Sequence, residues 1–321
     1  MQFKSLLITG GYGFIGSHFI NHYFDHNPEC FIVNLDAMYY CASETNVRAD
    51  IRQSGRYKFV KGNLCNEDLL AEVLRTYNID CVIHFAAQSH VQNSFDTALQ
   101  YTKDNVLGTH TLLHCCKEYG GVNRFIHVST DEVYGESMLD ENEPKKHEAS
   151  ILCPTNPYAA TKAGAELLAQ AYYKSFGMPI IITRGNNVYG PNQYPEKLIP
   201  LFIQQLQNRT QVTIQGDGSN VRGFLHVYDV FRAFLCVLES GQVGEIYNIG
   251  ADEDAEYSVM QVATELISRI HPGDDKDTWI RYIADRPFND KRYYVSNDKV
   301  KALGWDITVD FKTGLDILCS K

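Results

Sequence analysis

The sequence predicts an α/β fold: a doubly wound parallel sheet followed by a smaller C-terminal domain. Three observations point to it. Short Val-, Ile- and Phe-rich runs alternate with longer helical patterns through the first half, a glycine-rich turn follows the first run, and the pattern loses regularity after about Gly185. The predicted strands are Ser5–Thr9, Phe31–Leu35, Tyr57–Lys61, Asp80–Phe85, Arg124–Ser129 and Pro179–Thr183. Their apolar residues run on rather than alternate, as in strands covered on both faces. The stretches between them, Phe14–Asn27, Glu67–Tyr77, Asn105–Tyr119 and Ala159–Phe176, are long enough to be helical crossovers, which are right-handed. Beyond Gly185, turns such as Gly190-Pro191-Asn192 and Gly216-Asp217-Gly218 separate shorter elements. The expected division is residues 1–185 as a dinucleotide-binding unit and 186–321 as a substrate-binding unit, with segments after 220 returning to the first.

Composition narrows the function. The 321 residues suffice for a sizeable core, and a net charge of −10 argues against a nucleic-acid or membrane-surface binder, either of which would carry a basic face. The nine cysteines, Cys115 and Cys116 adjacent, show no C-x-x-C spacing. Reduced thiols in the cytoplasm fit them better than disulfides or zinc. The N-terminus runs straight into a strand, which does not read as a signal peptide. No apolar run approaches the ~18 residues of a membrane span. A cytoplasmic enzyme is expected.

Gly10-Gly11-Tyr12-Gly13-Phe14-Ile15-Gly16 joins the first strand to the first helix. Glycines at 10, 13 and 16 permit a tight turn, close approach of a pyrophosphate and close helix packing, while the helix N-terminus supplies N–H groups and positive potential. Any tight β–α turn favours glycine, so the pattern alone is weak. Asp36, ending the second strand 20 residues after Gly16, strengthens it: a carboxylate there holds ribose hydroxyls and repels the extra phosphate of NADP. NAD is the expected cofactor.

Tyr158 and Lys162 stand four residues apart, on one face of a helix. The pair is common on exposed helices, but downstream of a dinucleotide loop it reads as a proton acceptor and its supporting cation. Bringing a tyrosine from its usual pKa near 10 to neutrality takes ~4 kcal/mol, which an adjacent ammonium and a nicotinamide ring can supply. Thr130, Asp131 and Glu132 lie at the C-terminal end of a predicted strand, where such sheets place chemistry. Thr130 can hydrogen-bond a reacting oxygen. Asp131 and Glu132 read either as caps of the next helix or as a base and an acid, one kept protonated by burial and its neighbour.

With Thr9–Gly16, Ser129–Gly135, Tyr158 and Lys162, the chain resembles the extended short-chain dehydrogenases/reductases, and more narrowly the nucleotide-sugar 4,6-dehydratases. The resemblance includes His84–Val91, Gly185–Pro191 and Leu303-Gly304-Trp305, nearly the whole length. Thr130-Asp131-Glu132 is its specific mark, since related epimerases usually lack both acids. Ala86-Ala87-Gln88, Pro191–Pro200 and Arg286–Asp290 are similar to the dehydratase domain of UDP-rhamnose synthases. Bacterial dTDP-glucose enzymes usually carry Glu for Gln88 and Gly-His for Phe288-Asn289, so UDP-glucose is the favoured substrate. The chain's length leaves room for the dehydratase alone.

The resemblance implies a closed redox cycle toward UDP-rhamnose. Tyr158, Lys162 and Thr130 assist oxidation at C4 with hydride leaving to NAD. Glu132 takes the C5 proton, Asp131 protonates the departing C6 hydroxyl, and hydride returns to C6. It further implies that Gly10, Gly13, Phe14, Ile15, Gly16, Asp36, Asn63, Leu64, Ala86, Ala87, Thr102, Tyr158 and Lys162 hold the cofactor, Gly62-Asn63-Leu64 departing from the usual Gly-Asp-Ile. The substrate falls to Ser89, His90, Asn187, Glu196, Lys197, Leu198, Arg222, Asn248, Arg286 and Asn289. Arg222 and Arg286 suit a diphosphate, although an arginine is as readily solvated surface charge, and Lys197 can pair with Glu196. A homodimer through the helices at Val106–Cys116 and Ala163–Tyr173 is implied. His18, His22 and His26 recur at helical spacing without an acidic or Cys partner, so no metal is expected. The rival readings are a dTDP-glucose 4,6-dehydratase, a UDP-sugar 4-epimerase or decarboxylase, and a non-catalytic NAD-sensing regulator.

Overall fold

Every residue of the first strand, β1 (Ser5–Thr9), is buried, as befits a strand enclosed between two helical layers. The computed structural model describes residues 3–140, 142–285 and 288–320. Along it follow β2 (Phe31–Asp36), β3 (Tyr57–Lys61), β4 (Cys81–His84), β5 (Arg124–Thr130), β6 (Ile180–Gly185), β7 (Asn187–Tyr189), β8 (Val212–Gln215), β9 (Val221–His226), β10 (Ile246–Ile249), β11 (Glu256–Ser258) and β12 (Ile280–Ile283). Seven strands form one sheet in the order β10-β6-β5-β4-β1-β2-β3, and every pairing in it is parallel. The chain begins at the centre, winds out to β3, then crosses back to β4 and winds the other way. This is the Rossmann arrangement, with its reversal between β1 and β4.

Period-two alternation decides which layer each strand residue meets. Leu6, Ile8, Ile32 and Ile83 pack with Phe19, Ile20 and Tyr23 of α1 (Phe14–His26). Leu7, Val33, Val82 and Phe125 face the opposite layer. There they meet Leu70 and Val73 of α2 (Glu67–Thr76), Leu112 and Leu113 of α3 (Gly108–Tyr119), and Ala169 and Tyr172 of α4 (Pro157–Phe176). At ~1.5–3 kcal/mol for each large apolar side chain fully buried, these two layers are the main cohesion of the sheet.

Two boundaries differ instructively from the sequence expectation. The helix expected at Ala159 begins at Pro157, because proline suits the first helical position and the Asn156 side chain accepts the Ala159 N–H over 2.9 Å. The helix expected from Asn105 is preceded by a turn at Ala98–Tyr101 and a π-helical segment at Thr102–Leu107. That wider coil carries Asn105 inward, where its amide bonds Gln88 and Thr161.

Past β6 the chain builds a second core. β7 and β11 flank β9, and β8 pairs with β12. Tyr189, Phe224, Phe202 from α5 (Leu198–Gln207), Leu266 from α7 (Val259–Ile270) and Phe311 from α8 (Phe311–Cys319) pack together there. Between these segments, α6 (Val227–Ser240) and β10 lie on the main sheet: Phe231 and Phe234 join the core of α1, and β10 completes the edge beside β6. All nine cysteines are free thiols. Among the described residues, no helix is long and apolar enough to cross a membrane.

Candidate active site

The reversal between β1 and β4 opens a crevice at the strands' C-terminal ends, and a cavity of about 370 Å³ occupies it. Gly10 adopts φ +72°, and a Cβ there would stand 2.8 Å from the Ala86 backbone. A Cβ on Gly16 would stand 2.4 Å from the Gly10 carbonyl oxygen. Glycine is therefore required at both positions. Gly13 caps α1 with no side chain over the first turn, so Phe14 and Ile15, which line the cavity, present the helix's positive end. This cradle fits a pyrophosphate.

Asp36, also lining the cavity, is buried, and burial raises its carboxyl above the ordinary range against N–H bonds from Met38 (2.8 Å) and Tyr12 (3.0 Å). Each oxygen keeps a further lone pair for a diol. Asn63, Leu64, Ala86 and Ala87 line the same cavity. The Asn63 amide donates to the Tyr39 hydroxyl and accepts the Cys65 N–H. Thr102 stands on the exposed side of the π-helical segment, its hydroxyl donating to the Ala98 carbonyl, and is not among the cavity's lining residues.

Thr130, Asp131, Glu132, Tyr158 and Lys162 converge on this cavity. β5 ends at Thr130, whose hydroxyl accepts the Glu132 N–H and so caps a single 3₁₀ turn, Asp131–Tyr134. The capping reading and the chemical reading thus describe different parts of one motif: Thr130 caps, while the two acids point to the site. Asn186 donates to Asp131 Oδ2 over 2.5 Å, and Asn156 donates to Glu132 Oε2 over 3.1 Å. Burial, then the Glu132 charge, raises Asp131 to about 7, hydrogen bonds from Asn186 and Thr130 opposing. Burial raises Glu132 as well, with the Asn156 bond and the charges of Lys197 and Arg222 opposing. The two acids thus sit in different hydrogen-bond surroundings, with burial favouring the neutral form of each.

Tyr158 is buried. Burial, then the charges of Glu132 and Asp131, pushes its phenol far above the ordinary range, with the Thr130 hydroxyl opposing. Lys162 donates to the Val128 carbonyl over 2.7 Å. Burial lowers its ammonium to about 8 against the Glu166 charge. Ionising the phenol therefore needs a further positive charge beside it.

Of the residues expected to hold substrate, Ser89, Asn187, Glu196, Lys197 and Leu198 line the cavity. Lys197 Nζ donates to the Ser89 carbonyl over 2.7 Å. Glu196 accepts the Tyr40 hydroxyl at 2.8 Å and lies 3.7 Å from His90 Nδ1. His90, Arg222, Asn248 and Asn289 are not among the lining residues; Arg222 stacks 4.8 Å over the Tyr293 ring and donates to Asn289 Oδ1 and the Asp290 carbonyl. Asn289 donates to Asp285. Asn248 is wholly buried in β10, its side-chain oxygen accepting the Tyr134 hydroxyl over 2.7 Å. Arg286 lies outside the described residues. His84 is buried between the Thr9 and Thr109 hydroxyls, and burial lowers it to about 3. On α1 the His18 and His22 rings stack, and His22 packs on Phe231. Among the described residues, no His, Cys, Asp and Glu group is placed to hold a metal.

Several residues of the site escaped sequence reasoning. Asn156 and Asn186 orient the acids; Asn156 stands two residues before Tyr158, and Asn186 lies within the Gly185–Pro191 stretch without a role having been expected of it. Tyr293 bonds Glu132 Oε2 at 3.4 Å and donates to Asp290. It comes from a segment without a motif, and only the tertiary fold brings it in.

The family model described as GDP-mannose 4,6 dehydratase matches residues 7–318. A trifunctional UDP-glucose 4,6-dehydratase/UDP-4-keto-6-deoxy-D-glucose 3,5-epimerase/UDP-4-keto-L-rhamnose-reductase of Arabidopsis thaliana is 50% identical over 312 residues. Those are 97% of this chain but only 46% of that protein, so the chain spans about half the length of this relative. The human dTDP-D-glucose 4,6-dehydratase is 45% identical, with 97% and 88% covered. The crystal structure of a dTDP-glucose 4,6-dehydratase from Streptomyces venezuelae, with NAD bound, superposes with a TM-score of 0.91 at 40% identity, covering 98% and 96% of the two chains.

Proposed function

This chain belongs to the GDP-mannose 4,6 dehydratase family, within the extended short-chain dehydrogenases/reductases, and from that premise we propose that it is an NAD-dependent UDP-glucose 4,6-dehydratase. The observation that carries the reading is the Asp131–Glu132 pair, set in different hydrogen-bond surroundings beside Tyr158 and Lys162. The pocket fits NAD, with Gly10, Gly13, Gly16 and Asp36 as its holders. When bound, NAD accepts a hydride from C4 and returns it to C6.

The chain's own groups move the protons. Tyr158, with Lys162 behind it, accepts the C4 hydroxyl proton, and Thr130 holds that oxygen. A ketone at C4 acidifies C5, whose proton Glu132 removes and returns to C5 as hydride reaches C6. Asp131, raised to about 7, still carries a proton near neutrality and delivers it to the C6 hydroxyl, which leaves as water. Lys197, Arg222 and Asn289 are the groups toward the nucleotide and its diphosphate.

UDP is favoured by the likeness to the Arabidopsis protein, which is named for UDP-glucose, and by the departures at Gln88 and Phe288-Asn289. The human relative and the Streptomyces structure, both named for dTDP-glucose, support dTDP-glucose as the second reading. Mass spectrometry after incubation with each substrate decides. Loss of one water from UDP-glucose, without net NADH, is expected. Turnover of dTDP-glucose alone would replace the nucleotide, and no water loss from either would end the dehydratase reading.

Two further assignments accompany this reading. The enzyme is cytoplasmic, supplying a 4-keto-6-deoxy sugar toward UDP-rhamnose; fractionation into another compartment would refute the first. Leu107, Leu167 and Phe176 are exposed on the π-helical segment and α4, which supports a homodimer through a four-helix bundle. Leu167→Glu should halve the particle mass in sedimentation, and a wild type already monomeric would refute it.

A further inference from the structure

Behind the catalytic groups lies a buried charge pair that does not border the cavity. Arg184, on β6, is 2% exposed, and Glu166, on α4, is fully enclosed. The guanidinium contacts both carboxylate oxygens, Nε at 3.2 and 3.1 Å and Nη2 at 2.5 Å. Its other nitrogen, Nη1, donates to the Tyr134 hydroxyl over 2.6 Å and to the Glu148 carbonyl over 3.1 Å. The guanidinium also lies 4.6 Å over the Tyr134 ring.

The partners are informative. Glu166 follows Lys162 by four residues, one turn along the same helix. Tyr134 closes the 3₁₀ turn that begins with Asp131 and Glu132. The pairing of Ser129 with Arg184 in the β5–β6 register sets the arginine beside the end of β5. One side chain therefore grips both halves of the catalytic apparatus from behind. Stability alone does not explain it, because well-packed apolar residues commonly replace a buried ion pair at no loss.

We propose that Glu166 and Arg184 are positioning residues: their ion pair locks the helix carrying Tyr158 and Lys162 to the turn carrying Asp131 and Glu132, with a carboxylate one turn behind the Lys162 ammonium. The inference rests on the roles proposed above for those four residues. The carboxylate favours the charged lysine, and the strut fixes the distance between the oxidation and elimination groups. Its loss acts on turnover rather than on substrate binding.

The test uses NAD-saturated protein, Glu166→Gln, and the double variant Glu166→Gln/Arg184→Met, which leaves no unpaired charge inside. C4 oxidation is followed in single turnovers as reduced-cofactor absorbance across pH. In both variants kcat should fall by about tenfold or more with KM within about twofold, since small misplacements of reacting groups are costly. The alkaline limb of the oxidation step should move to lower pH, further in the single variant. If Glu166→Gln does not fold, the double variant is read alone; if neither folds, Glu166→Asp is read for the same kcat loss at nearly unchanged KM. A folded variant with wild-type kcat and an unmoved limb overturns the strut. An active wild type with such variants refutes only this inference, whereas a wild type inert toward nucleotide sugars removes the proposed function and the strut with it.

Discussion

Asn186 offers the sharpest test of how the acid is tuned. Its amide donates to Asp131 Oδ2 over 2.5 Å while its carbonyl accepts the Ala251 N–H over 2.8 Å. The bond favours the carboxylate and works against burial and the Glu132 charge, which together hold Asp131 at about 7. A hydrogen bond to a charged group contributes ~1.5–3 kcal/mol. At ~1.4 kcal/mol per unit, Asn186→Ala should raise the Asp131 pKa by about one to two units. An acid must hold its proton to act, so the elimination step should persist to higher pH. Quenched single turnovers with mass detection of water loss, taken across pH, read this directly. The limb should move up until Lys162, lowered to about 8, becomes limiting. A limb that stays put or moves down would refute the tuning of Asp131 by Asn186, provided melting curves show the variant folded.

Three further outcomes are expected. Glu132→Gln should abolish deuterium uptake from solvent at C5 while calorimetry still finds NAD binding; undiminished uptake would remove Glu132 as the base. Asp131→Asn should stabilise the protein at pH 8 more than at pH 5: with a folded pKa of about 7 against 3.8, the native state binds the extra proton, so this acid costs stability as pH rises between those values, by at most roughly 4 kcal/mol. Equal melting shifts at the two pH values would contradict that. Gly10→Ala, forcing a Cβ to within 2.8 Å of the Ala86 backbone at φ +72°, should weaken NAD binding by about tenfold or more, and unchanged affinity would show that the turn yields at no cost.

The sheet was legible because its signals are local. Ser5–Thr9 and Tyr57–Lys61 stand where run length and β-branching place them, and Gly10 and Gly16 betray the turn by chemistry that only glycine satisfies. The site was legible where one motif carries it, as with Tyr158 and Lys162 on one helical turn or the acids after β5. What escaped depends on distant pairing. Nothing near Tyr293 announces that its hydroxyl will reach Glu132, and the π-helical segment at Thr102–Leu107 follows from the pull of Gln88 and Thr161 on Asn105 rather than from propensity. Around Tyr158, spacing reveals the cation one turn away but not the burial that opposes ionisation of the phenol.

The late return of the chain to the main sheet has a consequence for synthesis. β6 finds its outer neighbour only when β10 arrives, some sixty residues later and after the second core's first elements have been made. Until then a growing chain presents β6 as an open edge of unpaired N–H and C=O groups beside the apolar surface that α6 will cover. A fragment cut near residue 185 would keep that edge permanently, and would be expected to self-associate rather than fold as a free-standing nucleotide-binding module.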